Sequence, residues 1–251
     1  MSEAVTLLIG PDRKAFVVHK ALLVNTCDYF KKATSGEWIE SRSNVHTLDD
    51  VNVQVFEMFM RWLYSGVLRC LDLEDLDQLL VQAWALGDRL QSCRLKNVVM
   101  TALAKDWNRY RDGYPLSMTV ALMAYDLSPP NAKIRQLTKR KFSLHAGDGR
   151  QVDSASTINH DLLVDLCNEM SNVIGKVRGG GRKAVGIKHE IARDVCSTYH
   201  EHPDGHRCTA TQMEASYQFH DSDEGLCSKI YPFAKLEQDV VVEPGDSDAE
   251  K

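Results

Sequence analysis

The first hundred residues alternate short β-rich runs with apolar positions at helical spacing. Residues 5–9 are β-forming and stop at a Gly-Pro-Asp turn signal, and residues 15–18 are a second β-rich run. Two short runs joined by a compact turn predict an antiparallel hairpin. Residues 45–48 form a third predicted strand.

Three helices are predicted in the same half of the chain. Apolar residues recur at helical spacing over residues 53–64, 73–86 and 90–103. Gly66 is suited to a left-handed cap after the first helix, and Asp72 to the N-cap of the second. Gly87 and Asp88 interrupt the apolar pattern before the third helix. A small sheet flanked by helical hairpins is an α+β arrangement.

The second half of the chain is predicted to be mostly helical. Apolar spacing indicates helices over residues 116–125, 134–144 and 162–174, with Asn131 and Asn159 as N-caps of the last two. Residues 147–156 are polar and contain glycine, which predicts a loop. The glycine run at residues 179–181 is also a predicted loop, since the Gly-x4-Gly-Lys-Ser/Thr pattern of a phosphate loop is absent. The predicted buried stripe of the last helix comprises Leu162, Leu163, Leu166, Cys167, Met170, Val173 and Ile174.

Composition places the chain among ordinary globular proteins. The 251 residues are 43% hydrophobic and 26% charged, and the net charge of −5 gives no general attraction to nucleic acid. No apolar run approaches the roughly 20 residues that span a bilayer, and the first residues show no signal-peptide pattern. Four of the seven cysteines are predicted to be reduced, packed thiols, which favours an intracellular location in the cytoplasm or nucleus. They are Cys27, Cys70, Cys93 and Cys167.

A basic face on the helix at residues 134–144 has two interpretations. It could bind nucleic acid, or it could be a solvated face beside an acidic partner helix, which we favour. The basic residues are Lys133, Arg135, Lys139, Arg140 and Lys141.

A histidine and two aromatic residues are expected to be structural. His19 lies where the second strand gives way to a helix, and we expect it to be mostly buried and hydrogen-bonded to backbone. No Ser or Cys nucleophile with an Asp partner is evident around it. Tyr29 and Phe30 supply aromatic bulk for the same core.

Five potential metal ligands fall within thirteen residues near the C-terminus. Zinc accepts two thiolates and two imidazoles in a tetrahedron, and such a set suits a structural site. We therefore expect a structural zinc ion at Cys196, His200, His202 and Cys208, with His206 as the alternative nitrogen ligand. Cys227 is a further possible contributor. The spacing is not that of a standard zinc finger, and the competing interpretation is a surface loop without cofactor.

The order of residues in the first half resembles a known family. Phe16, Val18, His19, Lys20 and Leu23 precede a Tyr-Phe pair, a Phe-rich helix and a Tyr-x-Gly ending at Gly66. This series is similar to the BTB/POZ fold, over about residues 5–104, and the helical second half resembles the tail of small fungal members. The resemblance implies a domain that binds other proteins and performs no chemistry.

Two family features are missing from this sequence. Members that bridge substrates to cullin-type ubiquitin ligases carry a hydrophobic-x-Glu motif shortly after the Tyr-Phe pair, and residues 32–35 (KATS) do not supply it. Strongly dimeric members exchange an N-terminal helix and strand, and only a few residues precede Val5. The resemblance therefore implies at most weak self-association and leaves cullin binding open.

These observations predict three regions and one favoured function. Residues 1–108 are a BTB/POZ domain, residues 109–235 a mostly helical extension with a Cys/His-rich loop and its own core, and residues 236–251 a disordered acidic tail. The function is a non-enzymatic protein-protein interaction module, an adaptor or scaffold, with no nucleic acid or membrane partner. The alternative is a zinc-dependent enzyme or nucleic-acid-binding protein centred on the Cys/His residues. A catalytic site would add a general base, for which Glu201 is the nearby candidate.

Overall fold

The computed structural model describes ten stretches of the chain. They are residues 3–35, 44–71, 75–109, 116–144, 159–178, 195–203, 205, 207–209, 212–213 and 216–220. Several predictions lie outside the described residues: the Asp72 cap, the loops at 147–156 and 179–181, His206, Cys227 and the tail at 236–251.

The N-terminal half is built on a three-stranded sheet. Strand β1 (Ala4–Ile9) pairs antiparallel with β2 (Lys14–His19) and parallel with β3 (Val45–Leu48), giving the order β2-β1-β3. The predicted hairpin is confirmed. Its turn contains Gly10 at φ 75°, where a Cβ would lie 3.0 Å from Cγ2 of Val53.

Within the described residues of this half, five helices accompany the sheet. They are α1 (Lys20–Thr26), α2 (Asp28–Ser35), α3 (Val53–Ser65), α4 (Leu76–Arg89) and α5 (Cys93–Arg109), and a short strand β4 (Leu68–Leu71) follows α3.

Both ends of helix α3 are capped by residues suited to that position. Its N-cap is Asn52, whose side chain accepts a hydrogen bond from the Gln54 amide, and it ends at Gly66 in the left-handed conformation, φ 73°. The left-handed cap at Gly66 is confirmed.

The predicted break between the last two helices of this half is displaced. Helix α4 continues through Gly87 and Asp88, and the chain turns at residues 90–92 with Gln91 at φ 53°. Gly87 is needed because α5 approaches closely: a Cβ there would lie 3.1 Å from Cγ of Lys96 and 3.3 Å from its amide nitrogen. The glycine marks helix-helix contact and not a helix end.

The described residues of the C-terminal half add four helices and one strand. They are α6 (Met118–Asp126), α7 (Lys133–Leu144), α8 (His160–Arg178), α9 (Val195–Tyr199) and β5 (Tyr217–His220). The side chain of Asn159 accepts hydrogen bonds from the amides of Asp161 and Leu162, which confirms it as the N-cap of α8. The cap predicted at Asn131 is wrong, because Asn131 takes φ 66° in the preceding turn and Ala132 stands before α7.

The buried stripe of α8 is narrower than predicted. Leu162 and Leu166 are buried, whereas Leu163, Cys167 and Ile174 are exposed. Only one side of α8 packs against α7 and α6, so some of its apolar side chains face away from the core. Cys167 is therefore not the packed thiol that its surroundings predicted, while Cys27 is.

The described residues share one core. A cluster of buried apolar side chains extends from the sheet through α4 and α5 into α6, α7, α8 and α9. The expectation of separate cores is wrong, because α4 packs on α6 and α5 packs on both α7 and α9. Among the described residues, no helix is both long and apolar enough to cross a bilayer.

Phe30 and His19 behave differently. Phe30 is fully buried, as predicted. His19 is exposed, because it ends an edge strand with its side chain on the outer face, and its Nδ1 lies 2.9 Å from the hydroxyl of Tyr64. The expectation that His19 is mostly buried is wrong.

Candidate metal centre and interaction surface

The predicted metal ligands lie together in space. The ligand atoms of Cys196, His200, His202 and Cys208, here called the Cys/His cluster, all lie within 4.8 Å of one another. Sγ of Cys196 is 3.2 Å from Nε2 of His202, and Sγ of Cys208 is 3.6 Å from Nδ1 of His200 and 4.0 Å from Nε2 of His202. The fifth residue, His206, lies outside the described residues.

These separations suit a tetrahedral ion. With zinc–sulfur bonds of about 2.3 Å and zinc–nitrogen bonds of about 2.0–2.1 Å, a regular tetrahedron places its ligand atoms roughly 3.3–3.8 Å apart. The three sulfur–nitrogen distances scatter around that interval. Two thiols and two imidazoles make a closed set of four, which is the composition of a structural site and not of a catalytic one.

Thr101 on α5 sets the orientation of one imidazole. Its hydroxyl donates to the carbonyl oxygen of Asn97 and lies 2.8 Å from Nε2 of His200. Since the single hydroxyl hydrogen is already used, the Thr101 oxygen acts as acceptor and Nε2 of His200 carries the proton. Nδ1 of His200 is then left with its lone pair directed at the cluster, as metal-bound histidines require.

The electrostatics of the cluster favour the neutral forms of His200 and Cys208. Burial, with a further contribution from His202, lowers the pKa of His200 to about 4. Burial, with a further contribution from Cys196, raises the pKa of Cys208. A cation in the cluster would supply the positive charge that stabilises thiolates there.

The chain around the cluster is fastened to the N-terminal half. Helix α9 carries Cys196 and packs against α5 and α7. The next residues are held by α5, because Lys96 forms ion pairs with Glu201 at 2.6 Å and with Asp88 at 2.9 Å. Burial alone would lower the pKa of Lys96, but the bonds with Glu201 and Asp88 outweigh it and raise that pKa.

The same contacts weaken the enzyme alternative. Glu201 was the candidate general base, yet its carboxylate is held in an ion pair with Lys96. The Sγ of Cys93 also lies 3.9 Å from the same carboxylate. A carboxylate with these partners anchors the segment to α5.

The basic face of α7 is matched by acidic residues of α8. Arg135 pairs with Asp161 at 3.2 Å, Lys139 with Asp165 at 3.6 Å and Arg140 with Glu169 at 2.6 Å. Residue numbers rise together along both helices, so α7 and α8 run parallel. The acidic partner helix of the favoured interpretation is confirmed. The prediction that the basic face is solvated is wrong at Arg135 and Lys141, which are buried.

The sheet presents an exposed patch. Val17 is 64% exposed on the outer face of β2, and His19 follows two positions later on the same face. The ring of Tyr64, itself 38% exposed, packs edge-on against His19 with 5.8 Å between ring centroids. We call Val17, His19 and Tyr64 the β2 patch.

The fold of the N-terminal half has a counterpart among known families. Residues 4–106 match the family model of the BTB/POZ domain. This chain contains a BTB/POZ domain. BTB/POZ domains are protein-interaction modules, so the β2 patch belongs to a domain of that kind. The matched residues contain the sheet and helices α1 to α4 entire, and α5 reaches a few residues further.

Sequence reasoning missed the residues that support the cluster. Asn97, Thr101 and Lys96 lie on α5, about a hundred positions before the residues they contact. The apolar spacing around them predicted a helix but gave these three polar residues no role. No local signal connected them with the Cys/His residues. Strand β5 was missed as well, since its run of four residues carries little periodicity.

Proposed function

We propose that this BTB/POZ protein is a non-enzymatic adaptor or scaffold. The observation that carries the proposal is a BTB/POZ domain over residues 4–106 that presents the β2 patch on its outer surface. An exposed valine beside an aromatic pair is the type of surface that binds proteins, since aromatic and apolar side chains dominate interface energies.

The test is partner capture with a matched pair of variants. The full chain is used as bait in a cell lysate, and the captured proteins are identified by mass spectrometry. Val17→Asp places a charge in the β2 patch, and Val164→Asp places one at the similarly exposed Val164 on α8. We expect Val17→Asp to lose specific partners that Val164→Asp retains. Equal capture by both variants would show that the partner does not bind at the β2 patch.

The adaptor role as proposed leaves a cullin-type ligase open. Residues 32–35 (KATS), on helix α2, do not supply the hydrophobic-x-Glu motif, and Lys32 is engaged by Gln91 at 2.8 Å. Trp38, Ile39 and Glu40 have that order of residue types a few positions later. The presence or absence of a cullin among the captured proteins decides the question.

We further propose that the Cys/His cluster holds a structural zinc ion. The proposal is supported by the ligand separations, by the closed set of two thiols and two imidazoles, and by the hydrogen bond from His200 to Thr101. The ion would join α9 to the residues around Cys208. Because α9 packs on α5, the site would fasten the C-terminal extension to the BTB/POZ domain.

Metal analysis of purified protein tests the site. The chain without a polyhistidine tag, expressed in zinc-supplemented medium, is expected to contain close to one zinc per molecule. Cys208→Ser should lose most of the metal, while Cys167→Ser, at an exposed thiol on α8, should keep it. Protein without metal, or equal metal in the two variants, would reject the site in favour of the surface-loop interpretation.

An intracellular location, in the cytoplasm or nucleus, is part of the same proposal. Cys196 and Cys208 must be reduced thiolates to bind zinc, and oxidising compartments favour disulfides instead. Imaging of a tagged full chain provides the check, with a secretory distribution as the contrary result.

A further inference from the structure

The edge of strand β4 is paired with strand β5 of the same chain. Strand β4 of the BTB/POZ domain pairs in parallel with β5, from Leu68 opposite Tyr217 to Leu71 opposite His220. The amide of Leu68 donates to the carbonyl oxygen of Ser216 at 2.8 Å. These two strands form a separate sheet of two. The β4 edge is therefore occupied by a segment about 150 residues further along the chain.

This pairing is weak by itself. A two-stranded sheet is at best marginally stable in water, and parallel pairs are slightly less stable per residue than antiparallel ones. Tyr217 adds support, because it packs against the hydrophobic core and its ring centroid lies 5.9 Å from Nζ of Lys105 on α5. Four residue pairs need a neighbouring anchor to remain closed.

The Cys/His cluster is placed to be that anchor. Directly after Cys208, the amide of Thr209 donates to the side chain of Gln212, and the amide of Gln212 donates back to the hydroxyl of Thr209. This reciprocal pair is a capping box. The next bonds join Met213 to Thr209 and Ser216 to Met213. These hydrogen bonds lie between the last cluster residue and the start of β5.

We propose that a metal ion in the Cys/His cluster keeps β5 paired with β4, and that loss of the metal frees the β4 edge to bind an extended strand of a partner protein. The inference rests on the zinc site proposed above. Without the ion, the link between α9 and Cys208 depends on weak thiol contacts. The local concentration of β5 at the edge then falls, because the length of flexible chain behind it increases.

The partner that fits this edge has defined chemistry. An unpaired strand presents a row of backbone donors and acceptors, and an extended peptide satisfies them by adding a strand. Since β5 fills the edge in parallel orientation, the natural probe is a fluorescent peptide with the sequence of residues 214–222 (EASYQFHDS). We expect it to bind the metal-free chain and not the zinc-loaded chain.

Hydrogen exchange of the full chain measures the edge directly. In zinc-loaded protein the amide of Leu68 should be protected. Removal of zinc by a chelator should accelerate its exchange by at least about tenfold, while amides of α3 stay protected. Gln218→Pro removes a β5 backbone donor and should open the edge without changing the zinc content. That variant separates the strand from the metal.

The outcomes distinguish the two proposals. Zinc-dependent protection of Leu68, with peptide binding after metal removal, supports the inference. Stoichiometric zinc with unchanged Leu68 exchange after chelation overturns the inference and leaves the zinc site standing. Absence of zinc from the protein overturns both.

Discussion

The side-chain amide of Asn97 pairs with both backbone polar groups of Glu201. Its Nδ2 donates to the Glu201 carbonyl oxygen at 2.8 Å, and its Oδ1 accepts from the Glu201 amide at 2.8 Å. Glu201 stands between His200 and His202 in the chain. A single asparagine on the BTB/POZ helix α5 therefore fixes the backbone from which two candidate metal ligands project.

Removing this asparagine is expected to affect stability and metal affinity together. Asn97→Ala deletes both bonds and leaves the Glu201 amide and carbonyl without these partners, which should cost about 1–3 kcal/mol of unfolding free energy. Zinc affinity, measured by competition with a chromophoric chelator, should fall about 10–100-fold, as for other supporting residues of metal sites. Asn172→Ala, at an exposed position of α8, is the control and should change neither quantity. Unchanged zinc affinity in Asn97→Ala would mean that α5 does not position the ligands.

Thr101 gives a sharper test of the imidazole orientation. Thr101→Val keeps the shape of a fully buried side chain but removes the acceptor for Nε2–H of His200. Because His200 then loses the contact that fixes its tautomer, zinc affinity should again fall about 10–100-fold. Chelator competition and a zinc-dependent shift of the His200 ring resonances provide the measurements. If affinity and resonances match the parent protein, Thr101 does not orient His200.

The sequence predicted correctly the features that depend on residues close together in the chain. The hairpin, the cap at Gly66 and the cap at Asn159 depend on neighbours within a few positions, and all three are present. The four residues of the Cys/His cluster were also predicted as one set, because the potential ligands lie close in sequence.

Other features depend on which side of an element the rest of the chain covers. Periodicity on α8 could not show that Leu163 and Ile174 face outwards, because the pattern reports amphipathicity and not the partner. His19 was expected to be buried because nothing in its own segment reveals that β2 is an edge strand. The bonds of Asn97 and Thr101 join positions 104 and 99 residues apart, beyond any local pattern.

The contrast between Phe30 and His19 can be measured by thermal and urea unfolding. Phe30→Ala should lower the unfolding free energy by about 3–5 kcal/mol, because it removes a fully buried ring. His19→Ala loses an exposed contact with the Tyr64 hydroxyl and the edge-on packing of the two rings, and we expect a change of about 0.5 kcal/mol or less. Comparable destabilisation by both substitutions would show that His19 contributes to stability as a core residue does.

The ion pairs between α7 and α8 should stabilise the extension. Arg140 and Glu169 have side chains only 14% and 15% exposed, so removing one partner leaves a poorly solvated charge. A double-mutant cycle with alanine at both positions should give a coupling energy of about 0.5–3 kcal/mol. Arg13 and Asp49, at 65% and 54% exposure, form the control pair and should couple by about 0.5 kcal/mol or less. Equal coupling in the two pairs would show that burial does not strengthen the α7–α8 contact.

The occupied β4 edge leads to the last prediction, which concerns assembly. Open strand edges promote association between chains, and here β5 covers β4 within one molecule. Zinc-loaded protein at micromolar concentration should therefore sediment mainly as a monomer. Gln218→Pro, which weakens the β4–β5 pairing, should sediment with a larger associated fraction at the same concentration. A parent chain that remains dimeric at nanomolar concentration would contradict the prediction and point to a different interface.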